Sequence, residues 1–228
     1  TLTFPTGNRI DLDGGLDEEL RWSLGFLDGE RGWDFDRGVV AAGNAEPGEA
    51  DTRGLHVVGS IGELRLADWL DAAGRRGDGS AGSGLAERIR SIDLQVADLH
   101  VVGQHYRDHR VLVDRSGSDW RLRLEGDLAI GSVSIPYDLD GERPIALDMQ
   151  RLVLPGSDDS ADATPISADP RQMPAVTLRA AEFALGERRL GRVSADFARL
   201  PDGLVADELS AEDASFRIDG RAGWVVDV

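Results

Sequence analysis

Ile92-Asp93-Leu94-Gln95-Val96-Ala97-Asp98-Leu99-His100-Val101 is the stretch whose reading decides the fold. Ile92, Leu94 and Val96 alternate with Asp93 and Gln95, the period-two pattern of a strand with one buried face. The parity then slips by one residue, and Leu99 and Val101 resume the apolar row. The same order returns as Ile145, Leu147, Met149, then Leu152 and Leu154, and again as Val176, Leu178, Ala180, then Phe183 and Leu185. Leu128 and Ile130, then Val133 and Ile135, form a shorter version. A slip of one residue throws a strand's apolar set onto the wrong face unless a β-bulge absorbs it, and a bulge also bends the strand. Neighbouring strands bulged at a similar point crease a sheet along one line, which makes a trough with an apolar inner face.

Outward from this segment, further alternating rows appear. Trp22, Leu24 and Phe26 lead through Asp28-Gly29 to Trp33, Phe35 and then Val39. Leu55, Val57, Gly59 and Ile61 follow a polar loop, and Trp120, Leu122 and Leu124 alternate with Arg121, Arg123 and Glu125. Val193, Ala195 and Phe197 precede the Pro201-Asp202-Gly203 turn, and a last strand carries Phe216, Ile218 and Trp224. Leu66, Trp69, Leu70 and Ala73 fall at helical spacing, and Leu85 to Arg90 adds a helical turn, so one or two short helices are expected. Residues 74–84 are Gly/Ser-rich and 156–169 are Asp/Ser/Ala-rich; both read as flexible connectors. The matching offsets Ile92 to Val176 and Leu99 to Phe183 predict a degenerate internal repeat, residues 92–155 and 176–224. The fold class predicted is all-β: one continuous segment over 1–228, a long bent antiparallel sheet folded into an apolar groove.

Composition removes several function classes. A net charge of −17 opposes both nucleic acid and anionic bilayers, which need a basic footprint; all 25 cations are Arg. With no Cys there are no disulfides, thiolate metal sites or Cys nucleophiles. No apolar run approaches the roughly 20 residues of a membrane-crossing helix. The chain lacks an initiator Met and a signal peptide, so it reads as a piece of a longer protein.

Catalytic motifs are missing as well: there is no Gly-x-Ser-x-Gly elbow, P-loop or Gly-x-Gly-x-x-Gly. His105 and His109 are four apart; along a strand that spans about 13 Å, too far for one metal ion, unless a hairpin turn at Arg107-Asp108 brings them together. Asp158, Asp159 and Asp162, or Asp11 and Asp13, could collect Ca²⁺, but neither set has the ligand count or closing Glu of a known loop. No enzyme, cofactor or metal site is predicted. One short helix cannot cover the dry face of roughly eleven strands. Either the sheet closes into a sandwich filled by side chains, a binding or structural module on the cell surface with Ca²⁺ at its acidic loop, or it stays open for an apolar ligand. Rows of Leu, Val, Ile and Ala suit alkyl chains.

Four phrases in succession carry a family resemblance: TRGLHVVGSIGELRLADWL (Thr52 to Leu70), IDLQVADLHVVGQHYRDHRVLVDRSGSDWRLRLEGDLAIGSVSIP (Ile92 to Pro136), RPIALDMQRLVLP (Arg143 to Pro155) and DPRQMPAVTLRAAEFALGERRLGRVSADF (Asp169 to Phe197). Their order and spacing resemble the C-terminal region of the YhdP family, AsmA-like proteins of Gram-negative bacteria related to TamB. The resemblance implies a "β-taco" groove segment in a protein anchored in the inner membrane and crossing the periplasm. It also implies phospholipid transport between inner and outer membranes in outer-membrane biogenesis. The partners implied are phospholipid acyl chains, the rest of the same chain and outer-membrane components. It brings no catalytic residues. By parity, Leu94, Val96, Leu99, Val101, Trp120, Leu122, Leu124, Val133, Ile135, Leu147, Leu152, Leu154, Leu178, Phe183 and Leu185 are expected to face the lipid groove.

Overall fold

The computed structural model describes residues 2–225 except 7, 18, 31, 67, 69–87, 102–103, 140, 142, 156–170 and 172, with only the backbone described at 4–6. Among these residues every element is a strand: β1 (Leu2–Thr6), β2 (Arg9–Leu16), β3 (Leu20–Gly29), β4 (Gly32–Ala42), β5 (Gly54–Arg65), β6 (Ile89–Val101), β7 (Gln104–Ser116), β8 (Asp119–Glu125), β9 (Ala129–Pro136), β10 (Ile145–Leu154), β11 (Val176–Leu185), β12 (Arg188–Leu200), β13 (Gly203–Asp213) and β14 (Phe216–Val225). They form one 14-stranded sheet whose order is the order of the chain. The fold is therefore all-β, as expected, and built on a single sheet. Of the helix expected around Trp69, Leu66 and Asp68 are described and both are helical; the rest of it and both connectors, 74–84 and 156–169, lie outside the described residues. Of the helical turn expected at Leu85 to Arg90, Arg88 is helical, whereas Ile89 and Arg90 open β6.

Of the strand pairs whose register is described, eight are antiparallel and two are parallel, which departs at those two from the antiparallel sheet expected. β4 pairs with β5 in parallel, Gly38 opposite Leu55 and Val40 opposite Val57. β10 pairs with β11 in parallel, Ile145 opposite Val176, Leu147 opposite Leu178 and Leu152 opposite Phe183. Parallel neighbours need a connection long enough to return the chain to the same end. Residues 43–53 and 155–175 provide it.

Two compact units divide the contacts: Thr1–Ala97 with Arg110–Asp114, and Asp98–His109 with Arg115–Val228. In the first, the register aligns Leu12, Leu24, Gly38 and Leu55 across four strands, with Gly14, Trp22, Val40 and Val57 one step along. Residues directly opposite share a face, so β2 to β5 carry one apolar face. The Trp22 ring occupies the space over Gly14, where a Cβ would stand 2.6 Å from it. Val39 lies on the other side from Phe35, contrary to the expected row. Gly25 pairs with Arg37 and Phe26 with Phe35, which leaves Asp36 as a bulge residue and flips the parity after it. Val39 and Ala41 are nevertheless buried, at 6% and 0% exposure. Connection 43–53 lies on their side, tied by an Arg21–Glu46 ion pair and by Arg37 donating to the Ala50 carbonyl at 3.3 Å.

The face opposite the apolar rows of β6 and of the second unit carries ion pairs. Arg110 holds Asp93 through two bonds of 2.8 and 2.7 Å, Arg179 holds Asp196 at 3.1 and 2.9 Å, and Arg217 donates to Asp219 at 2.9 Å. These guanidinium bonds hold the carboxyls of Asp93, Asp196 and Asp219 below their ordinary range. A depressed carboxylate stabilises the fold above its unfolded pKa and loses that contribution as pH falls through its folded one. Stability should therefore decline on acidification below about pH 4. A variant carrying Arg110→Gln, Arg179→Gln and Arg217→Gln should decline less steeply over that window in urea titrations. A second expectation concerns Gly131, at φ +152°, where a Cβ would stand 2.5 Å from the Asp148 carbonyl oxygen and 2.6 Å from Met149 Cα. Gly131→Val should lower the unfolding free energy by about 2–3 kcal/mol, read from the shift in denaturation midpoint.

Candidate functional site

In the second unit, register carries one apolar face across seven strands. Trp120 of β8 lies opposite Ile135 of β9, and Leu122 opposite Val133. Val133 in turn meets Leu147 of β10, which meets Leu178 of β11, which meets Ala195 of β12. Ala195 meets Leu209 of β13, which meets Gly220 of β14. A second row runs Gly131, Met149, Ala180, Val193, Ala211 and Ile218. Eleven of the predicted residues lie on this face: Trp120, Leu122, Leu124, Val133, Ile135, Leu147, Leu152, Leu154, Leu178, Phe183 and Leu185. Of the other four, Leu94 and Val96 are buried in the first unit, Leu99 is buried in the second, and Val101 there is half-buried.

Each strand that could lose the face carries its extra residue at the slip. Met149 pairs with Gly131 and Arg151 with Ile130, so Gln150 is the surplus and Leu152 returns to the face. In β11 two residues fall between the paired positions Ala180 and Phe183, against one between Val193 and Gly191 on β12. In β13 Asp207 and Glu208 stand together between Ala206 and Leu209, against single residues on both β12 and β14. β7 shows the same spacing of three between buried Tyr106 and buried His109, with Asp108 between them at φ +55°. The slip expected in β9 is not there: Ala129 shares the face, opposite Leu152, while Ile130 faces the other way, opposite Arg151.

Exposure grades across the face. Leu122, Ala129, Met149 and Ala195 are each 2% exposed, whereas Leu185 and Ile218 are each 51% exposed. Burial is greatest in the middle strands, and the bulges stand where strands bend. The residues that parity reasoning left out, Met149, Ala180, Val193, Ala195, Ala206, Leu209 and Ala211, are mostly small or sit beside a bulge. Their alternation was readable.

The histidines take separate places. β7 runs unbroken through Arg107 and Asp108, so the turn that would have brought His105 to His109 does not form. His105 bonds Asp98 at 2.6 Å through Nε2 and stacks on His100 at a ring separation of 4.8 Å. His109 is fully buried. Its Nδ1–H donates to the Arg107 carbonyl at 2.7 Å, and its Nε2 accepts from the Ala129 N–H at 3.3 Å. Tyr106 lies edge-on to it at 5.5 Å, and burial pushes that phenol up to about 12. Gly126 packs on the ring, where a Cβ would meet it at 2.3 Å. This histidine fastens the β8–β9 connection to β7.

Asp11 accepts a bond from Arg9 at 2.8 Å, and Asp158, Asp159 and Asp162 lie outside the described residues. Among the described residues no group of three or more His, Asp or Glu is placed to hold a metal ion, and no helix is long and apolar enough to cross a membrane.

A family model described as "YhdP protein" matches residues 2–227. No curated protein and no solved structure matches the chain.

Replacing His109 by Leu leaves the buried Arg107 carbonyl and Ala129 N–H without their partner, so His109→Leu should cost about 1–3 kcal/mol in urea unfolding. An unchanged midpoint would show that these two bonds contribute nothing net.

Proposed function

The chain belongs to the YhdP family, and from that premise we propose that it is a segment of a periplasm-spanning protein, anchored to the inner membrane, that conducts phospholipids between the inner and outer membranes along a hydrophobic groove. The observation that carries this reading is the register of the second unit, which gathers Leu122, Val133, Leu147 and Leu178 into one row and keeps the next rows on the same side through every bulge.

The chemistry asked of such a surface is modest. Each methylene moved from water to an apolar surface contributes about 0.8 kcal/mol. A face of Leu, Val, Ile and Ala gives an acyl chain nearly the same free energy at successive positions, so the chain can slide without crossing a high barrier. No bond is made or broken, and the reading assigns no catalytic residue. The net charge of −17 fits a segment held in water between two anionic membrane surfaces, since it is repelled by both. Ion pairs such as Arg151–Glu182 at 2.9 Å and Arg179–Asp196 at 2.9 Å keep the opposite face wet.

Native mass spectrometry with lipid extraction, on the chain purified without detergent, tests this. Phospholipid should co-purify near stoichiometrically. Leu178→Asp places a charge at a half-buried position in the middle of the face; it should remove most of that lipid while the β-sheet circular dichroism is kept. A ligand-free wild type that stays empty after incubation with a fluorescent phospholipid would sink the reading.

A further inference from the structure

The two outer strands of the sheet are built differently. β1 is short, its register with β2 shifts between Thr3 and Thr6, and it carries Pro5, which has no N–H to donate. Such features blunt a sheet edge. β14 has none of the three. It runs unbroken from Phe216 to Val225 without Pro and pairs with β13; among the described strands nothing pairs with its other side. Its even-numbered residues, Phe216, Ile218, Gly220, Ala222 and Trp224, bring the apolar face out to this edge, where Ile218 is 51% and Trp224 37% exposed. Its charges stand on the other side. Arg217 pairs with Asp219 and Arg221 with Asp207 of β13, each at 2.9 Å and well exposed.

We propose that β14 is an interaction edge whose partner is β14 of a second copy of this chain, the two strands antiparallel about a two-fold axis at Gly220. Register singles out that axis. Residues directly opposite share a face, so dry side meets dry side only where even residues meet even ones. Centred on Asp219, the pair sets Asp against Asp and Arg217 against Arg221; centred on Arg221, it sets Arg against Arg. Centred on Ile218, it matches Arg217 with Asp219 but engages only Phe216 to Gly220 of the strand. Centred on Gly220, it places Asp219 opposite Arg221, Ile218 opposite Ala222 and Phe216 opposite Trp224, each twice. Opposite charges and apolar or aromatic side chains facing across strands stabilise a sheet, and like charges so placed destabilise it. The pairs Arg217–Asp219 and Arg221–Asp207 then join across the axis into one alternating network. Head-to-tail pairing of β14 with β1 of the next copy would build an open filament, and Pro5 withholds a donor from it. The contact needs no lipid, so it stands or falls apart from the lipid reading.

Sedimentation velocity of the detergent-free chain over roughly 1–100 µM, the range of a small contact made largely by backbone, should show a concentration-dependent dimer. Asp219→Arg sets Arg against Arg at both symmetric positions, and Arg221→Asp sets Asp against Asp. Each should raise the dimer dissociation constant roughly tenfold or more. Circular dichroism and thermal melts establish that both variants are folded. Mixed in equal amounts, the two variants recover both attractive pairs in a heterodimer, so the dimer should return, which a merely damaged strand would not allow. A monomeric wild type, reversals without effect, or a mixture that stays monomeric would each overturn the pairing. A ladder of larger species would put β1 of the next copy on this edge and overturn it as well.

Discussion

A β-strand shows alternate residues to opposite sides, and this chain keeps one of those sides dry across strands that carry an odd residue. Everything else in the second unit follows from meeting that constraint. One surplus residue in an otherwise regular ladder would turn Leu152 and Leu154 out to water while Leu147 and Met149 stayed in. At about 25 cal/mol per Å² of apolar surface, losing half a strand's face costs several kcal/mol, far more than a local interruption of the ladder. The bulge at Gln150 is therefore the cheaper solution, and its counterparts recur in the β11–β12, β12–β13 and β13–β14 pairs. A bulge also bends its strand, so the residue that repairs parity is also a point of bending. Face and bend have one cause.

The wet side is organised by the same alternation. Arg179, Ser194, Ser210 and Asp219 form a row one residue out of phase with Leu178, Ala195, Leu209 and Gly220. Across the middle of the strands the parity that keeps charge off one face concentrates it on the other, while Arg188 and Arg199 enter the apolar face at the strand ends, opposite Leu185 and Leu204. Arg suits this side because its planar fork can meet a carboxylate on a neighbouring strand through two bonds, as Arg179 meets Asp196 and Arg110 meets Asp93. Exposed pairs of this kind contribute little each. Their collective effect is on specificity: a strand slipped by one residue would drive these groups into the dry face.

The period and the slips were legible in the amino-acid sequence because both are local. Ile145 to Leu154 and Val176 to Leu185 read alike, and the structure sets them side by side in register. What was not legible belongs to pairs of strands. A bulge is defined by two strands together, so slips were read in both β9 and β10 where the pairing has one, at Gln150 of β10. The direction of pairing is likewise no property of a strand. The length of 43–53 and 155–175 was the available sign of parallel neighbours, but composition made both read as loops and no more. The burial of His109 was not legible, because a polar residue type in a polar stretch suggests the surface. Its burial depends on the Ala129 N–H, twenty residues away, arriving to meet Nε2, and no local pattern announces such a partner.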